Sequence, residues 1–77
     1  MEDQILYQFN RGNDEVVQFR FSEYKQRKYI DLRVFFRLKN EDELRPTKKG
    51  ITVALDHFSE LKKGIMTCEK KLSAHTF

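Results

Sequence analysis

The stretch EVVQFRFSEYKQRKYIDLRVFFRL, residues 15–38, contains two runs of alternating residues on either side of a polar break, EYKQRK. Apolar and polar residues that alternate with a period of two are typical of strands with one buried face. The residues that this pattern places on one face are Val17, Phe19 and Phe21 in the first run and Ile30, Leu32 and Val34 in the second. The stretch therefore predicts two strands joined by a short polar connection.

Further strands are predicted on both sides of this pair. ILYQF at 5–9 is rich in strand-forming residues, and NRGND at 10–14 is a strong turn signal because Asn, Gly and Asp tolerate left-handed backbone. KNEDE at 39–43 is a charged turn, and ITVAL at 51–55 begins a fourth strand. Four strands with short connections predict an antiparallel meander.

After Leu55 the apolar period lengthens to that of an amphipathic helix. The stripe consists of Leu55, Phe58, Leu61, Ile65, Cys68 and Leu72. Asp56 is the predicted N-cap, and Gly64 weakens the helix unless a neighbour, such as a symmetry mate, approaches closely there. The predicted fold class is α+β, with the order β-β-β-β-α in a single domain over residues 1–77. Residues 73–77 are predicted to form a disordered tail.

A chain of 77 residues buries too little surface to be more than marginally stable alone. Cys68 is its one cysteine, which excludes an internal disulfide. Cys68, His57 and His75 lack the spacing of zinc ligands, so no metal or other cofactor is predicted. Self-association is the remaining source of stability.

The composition favours an intracellular protein. No apolar run is long enough for a transmembrane helix, and the N-terminal residues do not resemble a signal peptide. A lone cysteine fits a reducing compartment, which is cytoplasm or nucleoid in a bacterium, the host cell for a virus, and the nucleus in a eukaryote.

Positive charge gathers in two segments, although the net charge of +3 is mild. Residues 20–28 contain four cations and one acid, and residues 44–53 contain three cations and no acid. Aromatic side chains between such cations suit single-stranded nucleic acid, because bases stack on rings and cations neutralise phosphates. The alternative is an ordinary solvated surface on a protein-interaction domain. An enzyme is not expected, since neither a catalytic triad nor a glycine-rich phosphate loop is evident.

The segment KYIDLRVFFRLKNEDELRPTKKGITVALDHFSEL, residues 28–61, resembles the core of the positive-cofactor-four transcriptional coactivators. The shared features are a hydrophobic-Asp-hydrophobic-Arg strand, paired aromatics, an acidic turn, a basic Pro-containing element that ends in Gly-Ile, and a helix with an aromatic in its first turn. The element at 45–51, Arg-Pro-Thr-Lys-Lys-Gly-Ile, is the most specific of these, and the resemblance spans roughly residues 16–65.

The resemblance implies a homodimer with a curved antiparallel sheet, helices at the dimer interface and grooves for single-stranded DNA. The residues that it implies for DNA binding are Tyr24, Lys25, Arg27, Arg33, Phe36, Arg45, Lys48 and Lys49. The residues predicted for the dimer interface are Phe58, Leu61, Ile65, Cys68 and Leu72. Arg33 and Phe36 are an odd number of residues apart, so either the strand carries a bulge or one of them lies off the DNA surface.

Four positions depart from the family pattern: Gln26 and Thr47 stand where the family has glycines, Phe36 where it has tryptophan, and Tyr24 where it has phenylalanine. The expected function is binding of single-stranded DNA with little sequence preference, in transcription regulation or in DNA replication and recombination, and proteins of that machinery are candidate partners. The alternatives are a small dimeric adaptor for another protein and a single-stranded RNA-binding protein.

Overall fold

A computed structural model describes residues 3–39 and 42–74 of the protein. These residues form strands β1 (Asp3–Asn10), β2 (Glu15–Tyr24), β3 (Arg27–Arg37) and β4 (Leu44–Ala54), a 3-10 turn (Leu55–His57) and helix α1 (Phe58–Ala74). The strands lie in chain order in one antiparallel sheet. The α+β class and the β-β-β-β-α order predicted from the sequence are confirmed.

The strands extend beyond their predicted bounds, most of all at β4. The sequence places a basic loop before a strand that begins at Ile51, but β4 begins at Leu44 and takes in the whole basic element. Helix α1 includes residues 73 and 74, which the sequence assigns to a tail. Residues 75–77, with His75, and part of the acidic turn at 39–43 lie outside the described residues.

Tight turns join the first three strands. In the predicted turn at 10–14, Gly12 and Asp14 take φ angles of 64° and 61°. Between β2 and β3, Lys25 and Gln26 are the two residues of the hairpin turn, with φ of 50° and 66°. Positive φ at both positions is the signature of a two-residue type I′ turn, whose twist matches that of the flanking strands. Gln26 therefore takes a left-handed conformation that glycine adopts at lower cost.

Helix α1 makes little contact with the rest of its own chain. Asp56, the predicted N-cap, lies inside the 3-10 turn instead, and α1 begins two residues later. The helix contacts this turn and β4, and none of its described residues is buried. A Cβ at Gly64 would meet no atom of the chain within 4 Å, so close approach within the protomer does not account for this glycine.

The described part of the chain has only a small core. Val16, Val34 and Phe35 are its buried hydrophobic residues. The radius of gyration is 14.7 Å, whereas a compact domain of this length has a value of about 11–12 Å. The sheet is thus a single layer from which the helix extends.

Candidate nucleic-acid interface

The strand register sorts the side chains of the sheet onto two faces, because directly opposite residues share a face and successive residues alternate. The polar face carries Asp3 from β1, Gln18, Arg20 and Ser22 from β2, Asp31, Arg33 and Phe35 from β3, and Thr52 from β4. The apolar face carries Tyr7, Phe9, Val17, Phe19, Phe21, Ile30, Leu32, Val34 and Phe36. The alternation predicted for β2 and β3 is confirmed.

Three of the predicted DNA-binding residues lie together at the β2–β3 hairpin. Tyr24 and Arg27 pair across the turn, and both side chains are exposed. The Nζ atom of Lys25 lies 5.3 Å from the centroid of the Tyr24 ring, so this cation rests against the aromatic ring. An exposed ring between cations can stack a base while the cations contact the backbone phosphates.

Lys48 and Lys49 lie in a bulge of β4. The pairing passes from Arg33 and Gly50 to Phe35 and Pro46, so β4 has two more residues than β3 over this interval. We call residues 47–49 the basic bulge. Extra unpaired residues bend a strand and redirect its side chains, and both lysines of the bulge are exposed.

Thr47 holds the basic bulge in place. Its hydroxyl donates a hydrogen bond to the Val34 carbonyl at 2.7 Å and accepts one from the Lys49 amide at 3.1 Å. Its own carbonyl accepts a hydrogen bond from Nη1 of Arg33 at 3.0 Å. Glycine, which the family has at this position, lacks a hydroxyl. The two hydrogen bonds of the Thr47 hydroxyl are therefore specific to this chain.

Gly50 ends the bulge at a position without room for a side chain. A Cβ there would lie 2.5 Å from the Leu32 carbonyl oxygen and 2.9 Å from the Arg33 Cα, and both neighbours are backbone atoms. We expect Gly50→Ala to lower the free energy of unfolding by about 1–3 kcal/mol, as overpacked sites do, in urea denaturation at neutral pH. Lys49→Ala, which shortens an exposed side chain next to it, is the control. Equal stability of the two variants would contradict this prediction.

Arg33 is held in a polar network on the polar face. Its Nε and Nη2 atoms donate to the two carboxylate oxygens of Asp31, each at 2.9 Å, and Thr52 donates its hydroxyl to Oδ1 of the same carboxylate at 2.6 Å. Burial raises the pKa of Asp31, but the hydrogen bonds from Arg33 and Thr52 together with nearby positive charge outweigh it and lower the pKa below its ordinary value. The carboxylate therefore stays ionised and offsets the charge of Arg33.

Arg33 and Phe36 point to opposite faces of the sheet. The pairing of β3 with β2 is continuous from Tyr24–Arg27 to Glu15–Phe36, so the irregularity lies in β4 and leaves the alternation of β3 intact. One surface of a single protomer cannot present both side chains, so of the two alternatives left open by the sequence, the regular strand with one residue on each face is the one observed. Phe35 shares the face of Arg33 but is only 5% exposed. Arg45 pairs with Phe36 and is exposed.

The structure thus brings six of the eight predicted DNA-binding residues into two groups and leaves Phe36 and Arg45, which pair with each other, outside them. One group is the hairpin, and the other is the basic bulge with Arg33 beside it. Arg33 comes six positions after Arg27 in β3, which is about 20 Å along a strand. The sequence analysis did not select Asp3 and Thr52 and counted Arg20 only among the cations of residues 20–28, but all three complete the polar face between the two groups. Arg20 lies in a basic segment, but its partners on other strands are set by register alone.

The apolar face and the helical stripe are largely uncovered. The rings of Tyr7, Phe9 and Phe19 form a cluster with centroid separations of 5.8–6.5 Å. Tyr7 is 63% exposed, and the predicted interface residues Phe58, Ile65 and Leu72 are 40%, 52% and 53% exposed. Cys68 is also exposed, and Leu61 lines a shallow cavity against Ile51 and Val53 of β4. Exposed apolar side chains grouped in this way mark both surfaces as candidates for contact with another chain.

Comparison with protein families gives a match over residues 10–64 to the family described as Transcriptional Coactivator p15 (PC4). The matched part includes the hairpin, the basic bulge and the first turns of α1. The chain belongs to the PC4 family. The family resemblance of the sequence is thereby confirmed. A comparison with curated protein sequences gave no match.

Solved structures of other PC4 homologues share the fold. The homologue BPSL1147 from Burkholderia pseudomallei superposes with a TM-score of 0.78 at 15% identity, covering 88% of this chain and 98% of that one. A bacteriophage T5 homologue, implicated in recombination-dependent DNA replication, gives a TM-score of 0.63 at 25% identity and covers 92% and 81%. The MoSub1–ssDNA complex gives 0.61 at 21% identity and covers 91% and 80%.

Two further observations concern other classes of site. Within residues 3–39 and 42–74, no group of three or more His, Cys, Asp or Glu side chains is placed to hold a metal ion. In the same residues, no helix is long and apolar enough to cross a membrane.

Proposed function

We propose that this PC4-family protein is an intracellular homodimer that binds single-stranded DNA with little sequence preference and has no catalytic activity of its own. The observation that carries the proposal is the pair of exposed cationic elements, the hairpin and the basic bulge, about 20 Å apart along β3. Cations at this spacing can follow several phosphates of one strand, and Tyr24 offers a ring for a base. The MoSub1–ssDNA complex supports the same ligand class.

The proposed process is the handling of exposed single strands in DNA replication and recombination or in transcription regulation. The phage T5 relative, implicated in recombination-dependent DNA replication, supports the first of these. The family description as a transcriptional coactivator supports the second. Protein partners from either machinery belong to the proposal.

The apolar side chains that the single chain leaves exposed support the proposed homodimer. The stripe of α1 and the aromatic cluster of the apolar face are exposed, and no described residue of the helix is buried. Burial of apolar surface contributes about 25 cal/mol per Å², so a second copy that covers these surfaces supplies the stability that a single layer lacks. We propose that the stripe from Phe58 to Leu72 forms part of this interface.

Fluorescence anisotropy tests the ligand class directly. Labelled oligonucleotides of about 20 nucleotides, single-stranded and duplex, are titrated across a salt series. We expect tighter binding to the single strand and a steep loss of affinity with salt, because bound cations release counterions from the phosphates. Equal or tighter binding to the duplex contradicts the proposal. An RNA strand of the same sequence tests whether the 2′-hydroxyl group of the sugar affects affinity. Tighter binding of the RNA strand would indicate a single-stranded RNA-binding protein.

A second candidate is a small adaptor that binds another protein through its apolar face. The cluster of Tyr7, Phe9 and Phe19, in which Tyr7 and Phe9 are exposed, favours it. This adaptor would also be a dimer, so the discriminating measurements are single-strand affinity and capture of a protein partner. Capture that nuclease treatment does not change, without affinity for single strands, would favour the adaptor.

A further inference from the structure

A cavity of about 300 Å³ opens on the polar face between the hairpin and the basic bulge. Side chains from all four strands line it, namely Asp3, Arg20, Ser22, Asp31, Arg33, Phe35, Pro46 and Thr52. A single strand that runs from one cationic element to the other along the polar face passes this cavity. The cavity therefore lies where the bases of such a strand would be presented.

The charges around the cavity balance, in contrast to those of the flanking elements. Arg20 pairs with Asp3 through Nη2 and Oδ2 at 3.3 Å, and Arg33 pairs with Asp31 at 2.9 Å. A phosphate gains little from a lining with two cations and two anions, because the carboxylates repel it. A neutral ligand that carries both donors and acceptors suits this lining better, and the nucleobases of a single strand are such ligands.

Arg20 is the side chain best placed to contact a base. Its Cζ atom lies over the Phe35 ring at 5.2 Å from the centroid, so the guanidinium and the ring form a stack beside the cavity. A guanidinium held against a ring is fixed in one plane, which paired hydrogen bonds to the edge of a base require. Arg20 donates one hydrogen bond, from Nη2 to Asp3, whereas Arg33 donates to both carboxylate oxygens of Asp31 and to the carbonyl of Thr47.

We propose that this cavity is a nucleobase pocket, in which Arg20 receives one base of the bound strand and guanine is preferred. Guanine presents the acceptors O6 and N7, which arginine contacts in pairs, and its N1 and N2 groups are donors for a carboxylate such as Asp3. The inference rests on the proposed function. It adds a preference for one base at one position to a protein whose other proposed cationic contacts are with the phosphates of the DNA strand.

The test uses the wild-type protein and a short oligothymidine of about 10 nucleotides, which limits the number of binding registers. Three further oligonucleotides carry one central guanine, adenine or cytosine. We expect about 10-fold tighter binding of the guanine oligonucleotide, within the range of one paired arginine–guanine contact. Equal affinity for all four overturns the pocket but leaves the proposed function intact. Failure to bind any of them contradicts the proposed function itself.

Two substitutions of Arg20 separate base contact from phosphate contact. Arg20→Lys keeps the charge but loses the planar fork and its stack, so we expect the ratio of guanine-oligonucleotide affinity to oligothymidine affinity to fall from about 10 to about 1. Arg11→Lys, which alters an arginine paired with Glu15 outside the cavity, is the control and should keep the preference. A preference that survives Arg20→Lys overturns the inference. So does Arg20→Met if it weakens all four oligonucleotides equally and lowers the salt slope, since that is the behaviour of a phosphate contact. Thermal unfolding of each variant verifies that it is folded.

Discussion

Ile65→Glu is expected to convert the protein from a dimer into a monomer. Ile65 lies at the centre of the stripe and is 52% exposed in the single chain. A carboxylate placed in an apolar interface is costly unless it is paired, and in a symmetric dimer each substitution occurs twice. A cost of about 2 kcal/mol per copy gives about 4 kcal/mol, which is roughly a 1,000-fold loss of dimer affinity. Light scattering should report 9.3 kDa for the variant and twice that mass for the wild type.

Met66→Glu is the matched control for this substitution. Met66 is the next residue of α1, is 50% exposed and undergoes the same change of charge, but it lies about 120° away from the stripe around the helix axis. We expect Met66→Glu to remain a dimer. If both variants are monomeric, or neither is, then the stripe does not define the interface.

The order of elements could be predicted from the sequence because the signals for it are local. Alternation in β2 and β3 and the longer period of α1 are each visible within about ten residues, and the turns carry their own residue types. The exception was the start of the helix. Asp56 has the chemistry of an N-cap, but the chain leaves β4 through a 3-10 turn that contains this residue.

The site could be predicted less completely because it depends on strand register. The odd spacing of Arg33 and Phe36 indicated either a bulge or two different faces, and the residues of β3 alone could not decide between them. The bulge lies in β4 because Gly50 allows close approach of the backbone and the Thr47 hydroxyl bonds the Val34 carbonyl. Both are contacts between strands, which the sequence of one strand does not reveal.

The contacts of Arg20 also depend on strand register and could not be predicted from the sequence. Its sequence neighbours assign it to a basic segment, and on composition alone it is a surface cation. The register places it against Asp3, 17 residues earlier in the chain, and over Phe35, 15 residues later. Asp3 offsets the charge of Arg20, and Phe35 supports its guanidinium beside the cavity. The chemical role of Arg20 therefore depends on the fold.

Replacing Lys48 and Lys49 together by glutamine is expected to cause the largest loss of DNA affinity among substitutions of exposed residues. Both side chains project from a bulge whose backbone is held by Thr47 and Gly50, so the backbone need not be ordered before they contact phosphates. Each phosphate contact contributes about 0.7 to the salt slope of single-strand binding. We therefore expect the slope to fall by about 1.4 and affinity to drop about 10- to 100-fold near 0.1 M salt.

The control for this pair removes the same charge elsewhere. Lys63 and Lys70 lie on the side of α1 that is opposite the stripe, and glutamine at both should change affinity by less than about 3-fold, through net charge alone. Arg33 serves as an internal comparison, because Asp31 offsets its charge and its contribution to the salt slope should be smaller than that of either lysine. A Lys48 and Lys49 variant that behaves like the control would remove the basic bulge from the binding surface. The hairpin at Tyr24–Arg27 would then be the only cationic element left to carry the proposed function, and the polar face between the two elements would lose its role as the path of the strand.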